Sequence, residues 1–565
     1  MASGLQFGPV VGDVLRGVEE LAGDVVDVVS ALGDGEADDA DLRVGEQVDG
    51  GGRVVRSEDV VDDAADDPGV LDAVRRERLH RRGHRHHRKG TLMAFVLGID
   101  SSTQSCKALL VDAGTGEVVG EGRATHPDGT EVDPRAWIDA MEIATAGLLE
   151  KADAVAVAGQ QHGMVALDES GEVVRDALLW NDTRSARAAE ELIEELGGPA
   201  ACVDLTGSRY VASITATKLR WMRDHEPENA ARTASVLLPH DYLTRFLSGG
   251  LVTATDHGEA SGTGYYSTRQ RRWLPELADR ALGHPVDLPY LAAPNEALGT
   301  VAASVCAGAA ARGTVIAPGT GDNQGAALGL GLGPGDVCVS IGTSGVASAV
   351  VEDSVHDSAG VVTGFADASG KYLPLVATLN AARVLDLGRR LLGVDWVEFD
   401  RLALVAAPGA GGLVLQPYLD GERTPNRPDA TGIIQGLTTA TTREDFARMT
   451  VEGLLCSMKD AVEALVGATG EKVRRVLLIG GGARSAAVRA IAPSIFGVEV
   501  LVPDPAEYVA LGAARQAAWT LSGEDAPPTW TVPGTAPASA PFNGRTVRSY
   551  AHLRTATAGW NWGLE

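Results

Sequence analysis

Phe95-Val96-Leu97-Gly98-Ile99-Asp100-Ser101-Ser102-Thr103-Gln104-Ser105-Cys106-Lys107-Ala108-Leu109-Leu110-Val111-Asp112 reads as a strand, a small hydroxyl-rich loop and a second strand. Apolar runs at 95–99 and 107–112 mark the strands, and the Ser/Thr run between them marks the turn. Gly114-Thr115-Gly116 then turns the chain into Val118-Val119-Gly120, the third strand of a meander. The same text restarts far downstream. Asp336–Ile341 is a strand, Gly342-Thr343-Ser344-Gly345 a turn and Val346–Val350 a returning strand. This repeat predicts two α/β domains, each opened by a hairpin that carries a hydroxyl–glycine loop.

Between the hairpins lies Thr314-Val315-Ile316-Ala317-Pro318-Gly319-Thr320-Gly321-Asp322-Asn323-Gln324-Gly325, read as strand, tight turn and first turn of a helix. An aspartate at that helix start meets the positive end of the helix dipole, which is expected to favour its ionised form. The flanking glycines leave room for a ligand to approach the backbone. Asp322 as a plain helix cap is the competing reading of this fragment alone. Elsewhere Asp133-Pro134 opens a helix with Trp137, Met141, Ala144 and Leu148 on its core face. Ala154–Ala158 runs as a strand into Gly159-Gln160-Gln161-His162-Gly163, and Val476–Ile479 feeds Gly480–Ser485. Tyr508–Trp519 is a helix of small residues able to pack close to a neighbour, and Ala526–Pro541 reads as a linker before a short tail.

At 565 residues the chain needs at least two cores. A formal net charge of -27 argues against nucleic-acid and membrane-surface partners. It leaves a phosphorylated substrate open, because backbone N–H groups and helix ends bind anions. Five scattered cysteines form no metal or disulfide pattern and predict reduced thiols in a cytoplasm. Residues 1–92, rich in Gly, Asp and Val and ending in the basic run Arg81–Lys89, are expected to be a disordered arm or an extension ahead of a start at Met93.

Two such loops facing each other across a cleft can hold a nucleoside triphosphate, with Asp100 holding Mg²⁺ through water and Lys107 neutralising the phosphate end. A third turn, Gly480–Gly482, suits a base or ribose laid flat against backbone. No Walker A sequence is present.

From Met93 to about Ser522 the chain resembles the FGGY family of carbohydrate kinases, and within it the members acting on D-xylulose. The residues that carry this are Gly98–Thr103, Gly159–Gly163, Leu179-Trp180-Asn181-Asp182, Lys218–Trp221 and Leu238–Leu243. Gly319–Asn323, Gly342–Gly345, Gly421-Glu422-Arg423-Thr424-Pro425 and Gly480–Ser485 complete the set. The resemblance implies two actin-like domains of the sugar kinase/Hsp70, ribonuclease H-like type flanking a central cleft. Residues 93–333 would be the first, 334–525 the second and 526–565 a linker and tail. It implies ATP-dependent phosphorylation of D-xylulose to its 5-phosphate, with ATP and Mg²⁺, and leaves a homodimer open. Asp322 falls at the general base, and Gln161, His162, Trp180, Asn181 and Asn323 fall around the sugar. Asp100, Thr103, Thr343, Ser344, Gly481 and Gly482 fall on the nucleotide side.

A sugar hydroxyl needs a carboxylate to take its proton as the bond to phosphorus forms, which suits Asp322. His162 stands between a hydrogen-bond donor to the sugar and a satisfied strand-end histidine, with the Gln-Gln-His-Gly run favouring the sugar. Trp180 stands between an apolar wall for the sugar and a core residue. Family members acting on D-xylulose often have methionine where this chain has Gln161, which makes its sugar face more polar. A kinase of the same family acting on ribulose, gluconate or glycerol is the alternative, followed by a sugar sensor without catalysis and an actin- or Hsp70-like assembly ATPase.

Overall fold

Val96, Leu97 and Ile99 are wholly buried, so the strand that carries them is covered on both faces. The computed structural model describes residues 94–534 and 536–560, together with two-residue strands at 47–48 and 54–55. Those two short strands pair antiparallel and belong to a unit of their own, Met1–Arg88, apart from the unit Lys89–Glu565. The other expectations for residues 1–92, with the start at Met93, lie outside the described residues.

In the larger unit β1 (Phe95–Ser101), β2 (Ser105–Asp112) and β3 (Val118–Thr125) form the expected meander. Helix α1 (Arg135–Thr145) buries Trp137, Met141 and Ala144. It ends before Leu148, so that residue packs from the following turn rather than from the helix face. Strand β4 (Ala154–Gly159) lies parallel to β1. Four helices farther along matter for the site: α2 (Thr215–His225), α3 (Pro239–Leu247), α4 (His257–Ala260) and α5 (Asp322–Leu330). Three two-residue strands precede α5, namely β5 (Gly299–Thr300), β6 (Val315–Ile316) and β7 (Thr320–Gly321). The first sheet runs β5-β6-β4-β1-β2-β3, with β7 on the end of β4.

The second sheet repeats that plan. Strands β8 (Asp336–Ile341) and β9 (Gly345–Ala349) form its hairpin, followed by β10 (Thr363–Ala366) and β11 (Tyr372–Thr378). Beneath them α6 (Arg443–Thr469) is held at its start by Thr442, whose side chain accepts from Asp445 N–H while Asp445 reaches back. Strands β12 (Arg475–Ile479) and β13 (Glu499–Leu501) extend β8 in parallel, giving β10-β11-β9-β8-β12-β13. Both sheets thus place a hairpin beside a parallel crossover, as the repeat in the sequence predicts.

Helix α7 (Tyr508–Ser522) follows the second sheet but packs on the first, in a core with Val96, Leu109 and Ala156. It also lies directly on α5, and glycine makes this approach possible. A Cβ at Gly512 would stand 1.8 Å from Gly325 O, and one at Gly329 would stand 2.0 Å from Tyr508 O. The stretch expected to be a linker and tail is built into the fold. Trp530 donates its indole N–H to Ala113 O at 3.2 Å, and α8 (Gly544–Ala556) buries Tyr550 and Leu553. Among the described residues no helix is long and apolar enough to cross a membrane.

Substituting Gly512→Ala forces α5 and α7 apart and should cost about 1–3 kcal/mol, the usual range for overpacking. A urea midpoint clearly below that of the unsubstituted protein is the expected result, and an unchanged midpoint would contradict the close approach.

Candidate active site

The register of the first hairpin sets Asp100 opposite Lys107, at the end of the sheet where the chain turns through Ser102–Gln104. Asp100 is buried, accepts from the Ser102 hydroxyl and lies 3.4 Å from Lys107 Nζ. Burial pushes its carboxyl up, against the pull of Ser102 and Lys107. The Lys107 ammonium also makes a 2.7 Å ion pair with Glu507, just before α7. Burial works to lower its pKa, but Glu507 and Asp100 outweigh it and the net direction is up. Lys107 is therefore shared between two carboxylates, where the sequence suggested a phosphate partner only. Thr103 Oγ1 accepts the Trp180 indole N–H at 2.8 Å. Trp180 is 46% exposed, so it is no core residue.

Strand β4 ends at Gly159 and delivers Gln161 and His162 to the same end of the sheet. His162 adopts φ of 69°, a left-handed conformation that costs a non-glycine residue energy unless neighbours fix it. Two contacts do so. Thr215 Oγ1, at the start of α2, donates to His162 O at 3.2 Å, and His162 Nδ1 lies 2.6 Å from Gly262 O. A carbonyl can only accept, so Nδ1 carries the proton and Nε2 is left as an acceptor. Burial, opposed by Gly262 and aided by Lys218, pushes the imidazole down to about 4, so the ring is neutral at physiological pH. The expectation of a donor to the sugar is corrected: Nε2 can only accept a hydrogen bond, as from a hydroxyl.

Asn323 Nδ2 donates to Gln161 Oε1 at 3.3 Å and to Asp322 Oδ1 at 2.9 Å, which links these three side chains. Asn181 follows Trp180, and its buried Oδ1 has no partner among the described residues.

Asp322 is the first residue of α5, with Gly321 as the cap residue. Its Oδ1 accepts from the backbone and side chain of its neighbour Asn323. It is not a plain cap closing the helix end. Burial first, then the charge of Asp100, raises its carboxyl to about 7 despite the Asn323 bonds. The helix dipole was expected to favour the ionised form. Here desolvation and a like charge exceed that effect, which is typically worth about 0.3–1 kcal/mol at exposed sites. Such a carboxyl can hold or release a proton near neutrality.

The second hairpin presents Thr343 and Ser344 exposed between β8 and β9, pinned from behind by Ala381 N–H on Thr343 O and Ala382 N–H on Gly342 O. Parallel pairing of β8 with β12 sets the Gly480–Gly482 turn beside it. Gly481 faces open space, whereas a Cβ on Gly482 would stand 2.3 Å from Ile341 Cγ2. Gly481 thus offers bare backbone and Gly482 is there for packing.

Three residues went unread in the sequence. Glu507 holds Lys107, Phe365 of β10 sets its ring 5.7 Å from that of His162, and Glu259 of α4 is wholly buried near Gly321. Glu507 stands immediately before a recognisable helix, which was the one signal available. Phe365 and Glu259 arrive by long-range packing, which leaves no local mark.

Comparison with known proteins adds the following. The model of the FGGY family of carbohydrate kinases, N-terminal domain, matches residues 95–329, and that of the C-terminal domain matches residues 337–521. A xylulose kinase of Streptomyces coelicolor is 45% identical over 439 residues, 76% of this chain and 89% of that protein. The crystal structure of xylulose kinase from Bifidobacterium adolescentis is 45% identical, with a TM-score of 0.78, covering 82% of this chain and all of that one. Gluconate kinase from Lactobacillus acidophilus has a TM-score of 0.74 at 22% identity, covering 83% of this chain and 99% of that one, a likeness of fold.

The imidazole of His162 should titrate with a midpoint of about 4, read from its ring-carbon proton in an NMR pH series. A midpoint at the ordinary histidine value, about 6.5, would contradict the buried neutral ring.

Proposed function

Because this chain belongs to the FGGY family of carbohydrate kinases, we propose that it transfers the γ-phosphoryl group of ATP to the 5-hydroxyl of D-xylulose. The observation that carries the mechanism is the pairing of the buried Asp100 carboxyl, at the end of β1, with that of the half-buried Asp322, which desolvation first and the charge of Asp100 second raise to about 7. Asp322 takes the proton of the 5-hydroxyl while the oxygen bonds to phosphorus and ADP leaves. Phosphoryl transfer asks for positioning and charge more than covalent work, and the remaining residues supply these. His162 Nε2 accepts from a sugar hydroxyl, while Gln161 and Asn323, already bonded to each other, offer amide groups to others. Asn181 presents its unpartnered Oδ1 to a further hydroxyl. Trp180 gives the sugar an exposed aromatic face.

On the nucleotide side Thr103 and Lys107 meet the terminal phosphates from one hairpin, and Thr343 and Ser344 from the other. Gly481 gives the nucleoside a flat backbone surface. Asp100 fits Mg²⁺, being a carboxylate with hard oxygen donors at the mouth of that loop. Among the described residues no cluster of three His, Cys, Asp or Glu could hold a metal ion. The ion would thus be bound chiefly by phosphate oxygens and water, which is ordinary for Mg²⁺. When bound, it supplies positive charge against the phosphates. The five cysteines are unpaired, which fits the cytoplasm as the working compartment.

A coupled ADP-release assay with Mg·ATP tests this across D-xylulose, D-ribulose, L-ribulose, glycerol and gluconate. The highest kcat/KM is expected with D-xylulose, and Asp322→Asn should lower kcat by about 10²–10⁴-fold, the usual worth of general-base catalysis. A different preferred sugar would move the substrate. Near-normal turnover in the variant would remove Asp322 from its role.

A further inference from the structure

Glu259 is a carboxyl group with no visible means of support. It is wholly buried in α4, and neither of its oxygens has a hydrogen-bond partner among the described residues. An ionised carboxylate in that state would carry a desolvation penalty of several kcal/mol. The groups around it make matters worse. Asp241 faces it from α3, Asp256 from the strand Ala254–Asp256, and Asp322 from α5, each acting to raise its pKa. The other elements packed on α4 are Tyr290–Ala292, whose exposed Tyr290 turns its hydroxyl to Glu296, and β7 and β10, with Asp367 just after β10. None of these groups is a cation. His240, beside Asp241, is itself pushed down to about 4 by burial and stays neutral.

A second orphan lies against the first. Gln324 is wholly buried in the first turn of α5, and its Oε1 has no partner. A Cβ placed on Gly321 would stand 2.5 Å from Gln324 Oε1 and 2.5 Å from Glu259 Oε2, so both oxygens border the same small space beside Gly321. Turning the Gln324 amide over does not resolve this. Its Nε2 donates to Gly258 O at 3.3 Å and to Ala366 O at 3.2 Å, and both of those can only accept. The amide orientation is therefore fixed, Oε1 needs a donor, and Glu259 can become one by carrying a proton.

We propose that Glu259 is a neutral carboxylic acid whose O–H serves Gln324 Oε1, making it a positioning residue for the turn that bears Asp322 and Asn323. Gln324 ties that turn to Gly258 in α4 and to Ala366 in β10 of the second sheet, where Ala366 N–H also donates to Ser261 Oγ at 3.1 Å. Glu259 thus completes a polar seam joining the base-bearing helix to α4 and to the second sheet. Its neutrality also spares Asp322 a second like charge beside that of Asp100. The kinetic side of this inference rests on Asp322 as the base, and the spectroscopic side does not.

The test uses the full chain and the variants Glu259→Gln and Glu259→Ala. At alkaline pH the infrared spectrum of the unsubstituted protein should show a protonated-carboxyl stretch that Glu259→Gln lacks. Glutamine keeps the shape and a donor, so Glu259→Gln should hold kcat/KM within about threefold, with an unchanged pH midpoint. Glu259→Ala should lose roughly ten- to a hundredfold, as misplaced catalytic groups do. If no carboxyl band is lost, if the midpoint of Glu259→Gln falls, or if Glu259→Ala matches the unsubstituted enzyme, the proposal is overturned. Should the alanine variant fail to fold, the infrared and glutamine results still decide it. Failure of the base assignment would show separately, as turnover surviving in Asp322→Asn with the carboxyl band in place.

Discussion

Two carboxyls, Asp100 and Asp322, stand close enough for the charge of one to raise the other, in a place that burial already makes costly for charge. Much of the surrounding structure can be read as management of that cost. Lys107 and the Ser102 hydroxyl draw Asp100 towards its ionised form, and Glu507 holds Lys107 in place. Asn323 does the same for Asp322 from backbone and side chain. The result is asymmetric: Asp100 has a cation beside it and Asp322 has only neutral donors. Two carboxyls with divergent surroundings can divide their labour, one towards a cation and the other towards a proton.

The fold supplies the stiffness that such a pair requires. Asp322 stands on α5, which is locked by glycine contacts to α7, and α7 in turn is buried against β1, the strand that carries Asp100. Asp322 and the first hairpin loop are thus two ends of one packed block. His162, just past the end of β4, is held in its strained backbone conformation by Thr215 and Gly262. The second sheet reaches in through β10, which brings Phe365 to the His162 ring and Ala366 to Gln324.

Much of this was legible in the sequence, because hairpins, glycine turns and small-residue helices are local patterns. The repeated strand–loop–strand text predicted the two sheets, and Gly321-Asp322-Asn323 marked a helix start. What local text could not carry was long-range electrostatics. The Asp322 carboxyl was expected to be acidic from the helix dipole, and its elevation comes first from desolvation and then from Asp100, more than two hundred positions earlier. Lys107 looked free for phosphate because Glu507 is 400 residues away in the chain. The His162 acceptor role needed the Gly262 carbonyl, and the tail read as a linker because its helix depends on packing more than on composition.

The central claim is that burial and Asp100 set the Asp322 carboxyl to work near neutrality, and the pH dependence of kcat/KM tests it most directly. A base must be unprotonated to act, so kcat/KM should be level above about 7 and fall about tenfold per pH unit below it. A profile that stays level to the ordinary aspartate range, about 4, would contradict the account.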